Sequence, residues 1–354
     1  MAIPAEPLLA SAIWSSEQAL KTSPSSKPTS RNDGLNTGCH AVDNALGYLA
    51  EYGSINCISG EPNTGARDIC QALLVSHLLG SPKATAVVID TGLAFDVRAV
   101  HRVLTQRMHG ETDAAQQAVR ILDRLKIMKV FDFEGLTECV SEIRSMLETK
   151  AAPQRDERTN AQVPKTTVRD SEDEEEMLDT TSPSETSIQP TTKQSTQEES
   201  TQASGFVLID NLSQVTTPMI KNHHAHGQAV LASFMRSLSH LTTTHNLCTT
   251  IINGTTSSTN FKDEAPSIFS SCTLRPILGK AFAHQLDNHL LVHEMASMTG
   301  KKKEANGTSR MSPDGRKIAA SVAVIEVLQD RNGGRLGRWA PFRIDGNGGL
   351  TGSV

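Results

Sequence analysis

The stretch Ser54-Ile55-Asn56-Cys57-Ile58-Ser59-Gly60-Glu61-Pro62-Asn63-Thr64-Gly65-Ala66-Arg67-Asp68-Ile69 decides the fold. An apolar run from Ser54 to Ser59 reads as a buried strand, and Gly60 to Gly65 as a turn. Ile69, Leu73, Leu74 and Leu78 then fall on one face of a helix. Thr85 to Asp90 (TAVVID) repeats the pattern before a helix-like stretch ending near Arg107. Leu125 to Val130 repeats it again before an amphipathic helix from Leu136 to Leu147. Alternating strands and helices with unbroken apolar strands predict an α/β fold, a mostly parallel twisted sheet with helices on both faces. Ligands then belong at the carboxyl ends of the strands.

The series breaks after Lys150 and resumes at Gly205 with FVLID. The interval 151–204 carries 5 Lys/Arg and 12 Asp/Glu, a net of −7 that leaves the other 300 residues at +2 against a whole-chain −5. With no aromatic residue and an acidic run SEDEEE from Ser171, it reads as a disordered acidic insertion. Residues 1–34 read as a flexible leader, because their Ser, Pro and Lys content from 21 to 34 buries too little surface to offset ordering entropy. The core is thus predicted in two parts, 35–150 and 205–354. The second holds a helix from about Gln228 to Thr244 and a strand at Cys248 to Asn253. Apolar runs follow at His289 to His293, Ala320 to Gln329 and Pro341 to Ile344, with a polar insertion near 298–318.

Composition excludes several classes. Aromatic residues are 4% of the chain, too few for a groove built on stacking rings. No run of 18 apolar residues exists to span a bilayer, and the start lacks the basic region of a secretory signal. The six cysteines are scattered without a C-x-x-C, which predicts buried free thiols in a reducing compartment and gives no metal-ligand spacing.

Gly60-Glu61-Pro62-Asn63-Thr64-Gly65-Ala66-Arg67 has the frame of a phosphate-binding loop between strand and helix. In G-x-x-x-x-G-K-[ST] the glycines let backbone N–H groups wrap the phosphates, the lysine neutralises them and the hydroxyl holds magnesium. Here the lysine position is Ala66 and the hydroxyl position Arg67. Losing a charge-assisted phosphate contact removes roughly 1.5–3 kcal/mol, about ten- to a hundredfold in affinity. The same eight residues also fit an ordinary strand-to-helix turn. Phe206-Val207-Leu208-Ile209-Asp210 is an apolar strand ending in a carboxylate, which suits either a magnesium ligand or a plain turn.

With Ile89-Asp90-Thr91-Gly92-Leu93-Ala94-Phe95 the chain resembles the RecA superfamily, and in particular paralogues of the eukaryotic strand-exchange recombinase, the Rad group of DNA-repair ATPases. Leu35-Asn36-Thr37-Gly38 with Val42-Asp43-Asn44-Ala45-Leu46 is similar to that family's entry turn, and Ile251-Ile252-Asn253 to its strand before the second DNA-binding loop. Leu274-Arg275-Pro276-Ile277-Leu278-Gly279-Lys280-Ala281-Phe282, followed by His284-Gln285 and Asp287, resembles the paralogues' stretch after that loop. Glu326 to Arg331 and Trp339 to Ile344 are similar to its closing strands, so the likeness spans roughly residues 35 to 345.

The resemblance implies a RecA-like P-loop NTPase core whose nucleotide contacts would fall on Gly60, Glu61, Pro62, Asn63, Thr64, Gly65, Ala66, Arg67 and Asp210. ATP binding is expected to be weak and the magnesium site short of a ligand. The family's water-activating glutamate position is Gly92, and losing a general base costs about 10²–10⁴ in rate, so little or no ATPase activity is expected. Two loops would contact single-stranded DNA: Thr216 to Gly227, with Lys221, His223, His224 and His226, and Gly254 to Arg275, with Lys262 and Arg275.

The implied function is repair of DNA double-strand breaks by homologous recombination, as a mediator that binds DNA and a partner recombinase or other paralogues. The implied compartment is the nucleus, and Lys301 to Lys303 with Arg316-Lys317 fit either an import signal or a solvated loop. Thr196-Gln197, Thr201-Gln202 and Ser171 match kinase patterns short enough to arise by chance. Two alternatives stand beside this reading: an active DNA-dependent ATPase, and a RecA-fold scaffold subunit outside DNA repair, as in the elongator complex.

Overall fold

The computed structural model describes residues 34–110, 113–151, 205–257, 266–295, 322–331 and 334–352. The leader 1–33, most of the acidic insertion with Ser171, Thr196 and Thr201, Lys262, and the clusters Lys301–Lys303 and Arg316–Lys317 lie outside the described residues.

Nine strands form the central sheet. Six are parallel in the spatial order β5 (Leu125–Lys129), β4 (Thr85–Asp90), β6 (Gly205–Asp210), β7 (Cys248–Asn253), β3 (Ser54–Gly60) and β10 (Asn288–Glu294). β11 (Ala323–Asp330), β12 (Trp339–Ile344) and β13 (Leu350–Gly352) extend it antiparallel beyond β10. Two small antiparallel pairs stand apart: β1 (Gly34–Leu35) with β2 (Ala50–Glu51), and β8 (Thr255–Ser257) with β9 (Leu274–Pro276).

Strand alternation divides the core. Phe206 and Leu208 of β6 join a buried cluster with Ile69 and Leu73 of α2 (Ala66–Gly80) and Val100 and Leu104 of α3 (Val97–Arg107), while α1 (His40–Leu46) contributes Val42 and Leu46 to the same side. Val207 and Ile209 face the other way. They pack with Leu136 and Val140 of α5 (Phe133–Ala151), Leu212 of α6 (Leu212–Asn222), Leu231 and Leu238 of α7 (His224–Thr244) and Phe282 of α8 (Gly279–Ala283). Both faces of the inner parallel strands are therefore covered, which is why they read as unbroken apolar runs, whereas β5 at the edge of the sheet keeps Lys126 and Lys129 exposed. Five cysteines are buried and Cys139 is half-buried, all unpaired. Burial pushes the Cys57 and Cys248 thiols up to about 12, which keeps them protonated and unreactive.

Residues that carry the family resemblance hold the frame together. Asp43 accepts hydrogen bonds from the Thr37 and Gly38 N–H groups (2.8 and 3.0 Å) and from the Thr37 hydroxyl (2.8 Å), fixing the entry turn. Asp287 accepts from the Ile55 N–H at 2.8 Å and donates its own N–H to the Ile55 carbonyl at 3.0 Å, tying the start of β3 to the approach to β10.

Two expectations are corrected. Thr216 to Gly227 is not a loop: α6 runs to Asn222, α7 starts at His224, and His223 alone separates them. The loop is implied by the family resemblance; here the helices are held by packing, because Val215 and Thr216 are buried and Gly227 lets the helices close on Ile220. A Cβ at Gly227 would lie 2.8 Å from the Ile220 Cα. Gly254 to Arg275 is likewise not all loop, since its ends pair as β8 and β9. A helix absent from the sequence reading, α4 (Ala114–Leu122), packs against α3.

Candidate functional site

The carboxyl ends of β3, β6 and β7 meet in one small pocket. Gly60, Glu61, Pro62, Asn63, Ala66, Arg67, Asp210, Asn211, Ile252, Asn253 and Gly254 line it. Its volume is about 100 Å³, against roughly 300–1,000 Å³ for ordinary small-molecule sites. The structure therefore brings together the loop residues and Asp210, which lie far apart in sequence.

The backbone at Gly60 and Gly65 is crowded. A Cβ at Gly60 would lie 3.0 Å from the Ala66 Cβ and 3.3 Å from the Val292 carbonyl oxygen. Gly65 caps α2 at φ +109°, and a Cβ there would lie 2.8 Å from the Phe342 ring. Asn63 takes φ 66°, a conformation Asn tolerates. The Thr64 hydroxyl donates to the Glu61 carbonyl at 2.8 Å, closing the turn on itself. The neighbours of Gly60 and Gly65 leave no room for a side chain at either position and so explain both glycines.

Arg67 departs from that pattern. It stands in the first turn of α2 and reaches across the pocket to Asp210, with Nε 2.9 Å from Oδ2 and Nη2 3.2 Å from Oδ1. This is a bidentate fork on a carboxylate with 0% exposure, while the arginine side chain stays 38% exposed. Burial pulls against the Arg67 cation, but the Asp210 hydrogen bonds and charge, with Asp90 and Asp68 behind them, hold its pKa above the ordinary arginine value. Burial pushes the Asp210 carboxyl up and Arg67 pulls it back. An arginine cannot deprotonate here, so the carboxylate has a permanent counter-charge. The residue that takes the hydroxyl position of the loop thus puts a cation on the carboxylate that would face magnesium.

Asp90 ends β4 directly beside Asp210. Its two oxygens accept the Ala94 and Phe95 N–H groups at 3.2 and 3.1 Å, and the neighbouring Thr91 hydroxyl donates to the Asp210 carbonyl at 2.8 Å. Gly92 is exposed and a Cβ there meets no atom within 4 Å. Behind the loop, Ser59 contacts His289 Nε2 at 2.8 Å and accepts from Asn253 Nδ2 at 3.2 Å. Asn253 Oδ1 has no partner among the described residues. The sequence reading quoted Asn253 only as the end of a strand and gave Ser59 and His289 no role, because their meeting depends on strand order.

The expected DNA contacts do not gather at this pocket. Lys221 is exposed in the last turn of α6 and His223 is exposed between α6 and α7. Arg275 is half-buried on β9, opposite Thr256.

No protein-family model matches the chain, and no curated protein matches its sequence. Its three-dimensional structure is similar to the crystal structure of the RadB recombinase, with a TM-score of 0.54 at 12% identity, covering 90% of this chain and 100% of that one. The large, mostly parallel sheet with helices on both faces fits that likeness: the chain has a RecA-like core fold.

Proposed function

We propose that the chain acts in homologous recombination, in the repair of DNA double-strand breaks, as a recombinase paralogue that binds rather than turns over. In this reading it is a nuclear mediator that engages a recombinase or other paralogues and contacts single-stranded DNA within that complex. The RecA-like core supports the recombination part, since the similar solved structure is itself a recombinase. The observation that carries the non-hydrolysing part is the Arg67–Asp210 pair, with Ala66 and Gly92 where a phosphate cation and a general base would stand.

In this reading ATP binds weakly through the backbone of Gly60 to Arg67, and magnesium has lost both its hydroxyl and its free carboxylate. Lys221, His223, Arg275 and Lys262 are the DNA contacts. Few cations and a net +2 outside the acidic interval make the isolated chain's affinity modest and salt-sensitive.

The test is affinity purification of the tagged chain from cells with and without DNA damage, with the co-purifying proteins identified by mass spectrometry. Recovery of a recombinase or its paralogues is expected. Recovery of elongator-type subunits without any repair protein overturns the functional reading and leaves the fold intact. Phosphate release with and without single-stranded DNA tests the catalytic half. Turnover that disappears in Asp210→Ala overturns it.

A further inference from the structure

Beyond β10, on the side of β3 away from Asp210, three side chains from separate elements converge. They are Cys272 in the segment before β9, His293 on β10 and Glu326 on β11, all buried, with one ligand atom from each within 4.8 Å of the others. We propose that this cluster is a zinc site that pins the base of the 254–276 segment to the sheet. The proposal does not rest on the recombination reading.

The hydrogen bonds around the cluster leave a cation-shaped gap. His293 Nδ1 lies 3.1 Å from the Glu294 carbonyl oxygen, a contact it makes only as a donor. In the neutral ring Nε2 then carries the lone pair, and it stands 3.3 Å from Glu326 Oε1, another acceptor. Apart from that contact with each other, which a protonated ring would make as an ion pair, neither atom has a hydrogen-bond partner among the described residues, though His293 is 4% and Glu326 0% exposed. Two buried acceptors face to face need a positive charge between them, a proton or a metal ion.

A Zn²⁺ ion meets that requirement. Bonds of about 2.0–2.2 Å in tetrahedral geometry separate nitrogen and oxygen ligands by roughly 3.3 Å, the spacing His293 and Glu326 already have. The remaining groups behave as an outer shell. Glu326 Oε2 accepts the Ile268 N–H at 3.0 Å, which leaves Oε1 to point inward. The Nδ1–H bond to a backbone carbonyl is the usual orienting contact of a metal-bound histidine. Phe269 stands edge-on to His293 and to Trp339, both with ring centroids 5.2 Å apart, and screens the cluster from water. Thiolate, imidazole and carboxylate together favour zinc over magnesium or calcium.

The test uses the full-length chain carrying a tag without histidines. Metal content by inductively coupled plasma mass spectrometry is expected to be about one zinc per chain. Cobalt added to the chelator-stripped protein is expected to give a thiolate-to-cobalt charge-transfer band. That band should vanish in Cys272→Ser and persist in Cys139→Ser, with zinc affinity falling at least about tenfold in His293→Asn and in the near-isosteric Glu326→Gln. A wild-type chain with no zinc and no cobalt–thiolate band overturns the proposal, as does a band that survives Cys272→Ser. The wild-type spectrum decides the matter even where a variant fails to fold.

Discussion

Asp90 and Asp210 stand in register at the carboxyl ends of β4 and β6, and among the described residues only Asp210 is hydrogen-bonded by a cationic side chain, Arg67. Asp90 is served by the Ala94 and Phe95 N–H groups, so the two carboxylates are stabilised by different means.

That difference predicts an asymmetric response to mutation. Arg67→Ala strands a buried carboxylate. Removing one partner of a fully buried pair costs about 3–5 kcal/mol, and the 38% exposure of Arg67 reduces this to about 2 kcal/mol through solvent screening. Asp210→Asn leaves the arginine free to turn to water and should cost about 1 kcal/mol. Urea unfolding of the two variants measures the order, and an equal or reversed cost removes the claim that Asp210 depends on Arg67.

On the proposed function, giving the loop a lysine and a hydroxyl should strengthen nucleotide binding. In Ala66→Lys/Arg67→Thr/Gly92→Glu the lysine would face the phosphates, the hydroxyl and the released Asp210 would face magnesium, and the open space at position 92 accepts a glutamate. ATP affinity in the presence of magnesium is expected to rise about tenfold or more, read by fluorescent-nucleotide titration. Unchanged affinity would mean that the loop geometry, not its side chains, is what limits binding.

Acid should destabilise the fold through two buried histidines. Burial lowers His77 and His289 to about 4. His77 donates Nε2–H to the Thr85 carbonyl and accepts the Tyr52 hydroxyl at Nδ1, and His289 is held by Ser59. The unfolded chain binds protons that the folded one refuses, so this stability is complete above about pH 6.5 and falls as pH drops toward 4. Each histidine contributes about 3 kcal/mol across that window as an order of magnitude. Chemical denaturation at several pH values checks the slope, which should flatten in His77→Gln and in His289→Gln.

Asp287 gives a test of the shared frame. Asp287→Ala removes the acceptor of the Ile55 N–H and the partner of Arg331, an exposed pair at 2.7 Å that adds little by itself. A loss of about 1–2 kcal/mol is expected from the unsatisfied backbone donor, with hydrogen exchange at Ile55 speeding up. Unchanged exchange there would assign the motif another role.

These tests draw on parts of the molecule that were unequally legible in the sequence. The inner parallel strands announced themselves because both their faces are buried, so local composition carried the signal, and the edge strand β5 was legible from its place in the alternation. Gly60, Gly65 and Asp210 were legible because each obeys a local backbone or strand-end rule. The Arg67–Asp210 bond was not, since the sequence predicts a guanidinium aimed at phosphate and only the strand order places a carboxylate within its reach. The α6–α7 pair was not legible because the loop there came from the family resemblance, while the burial that holds the helices comes from the sheet. Cys272, His293 and Glu326 share no ligand spacing at all: the pairing of β10 with β11 brings His293 and Glu326 together, and the segment before β9 lays Cys272 beside them.

The Phe342 ring occupies the space a side chain at Gly65 would need, and so joins the two ends of the core. β3 and α2 leave the ribosome long before β12 exists, so the turn between them spends most of synthesis without the surface that shapes it. A chain cut short before β12 would therefore carry every residue of the loop after β3 without the ring that packs against it.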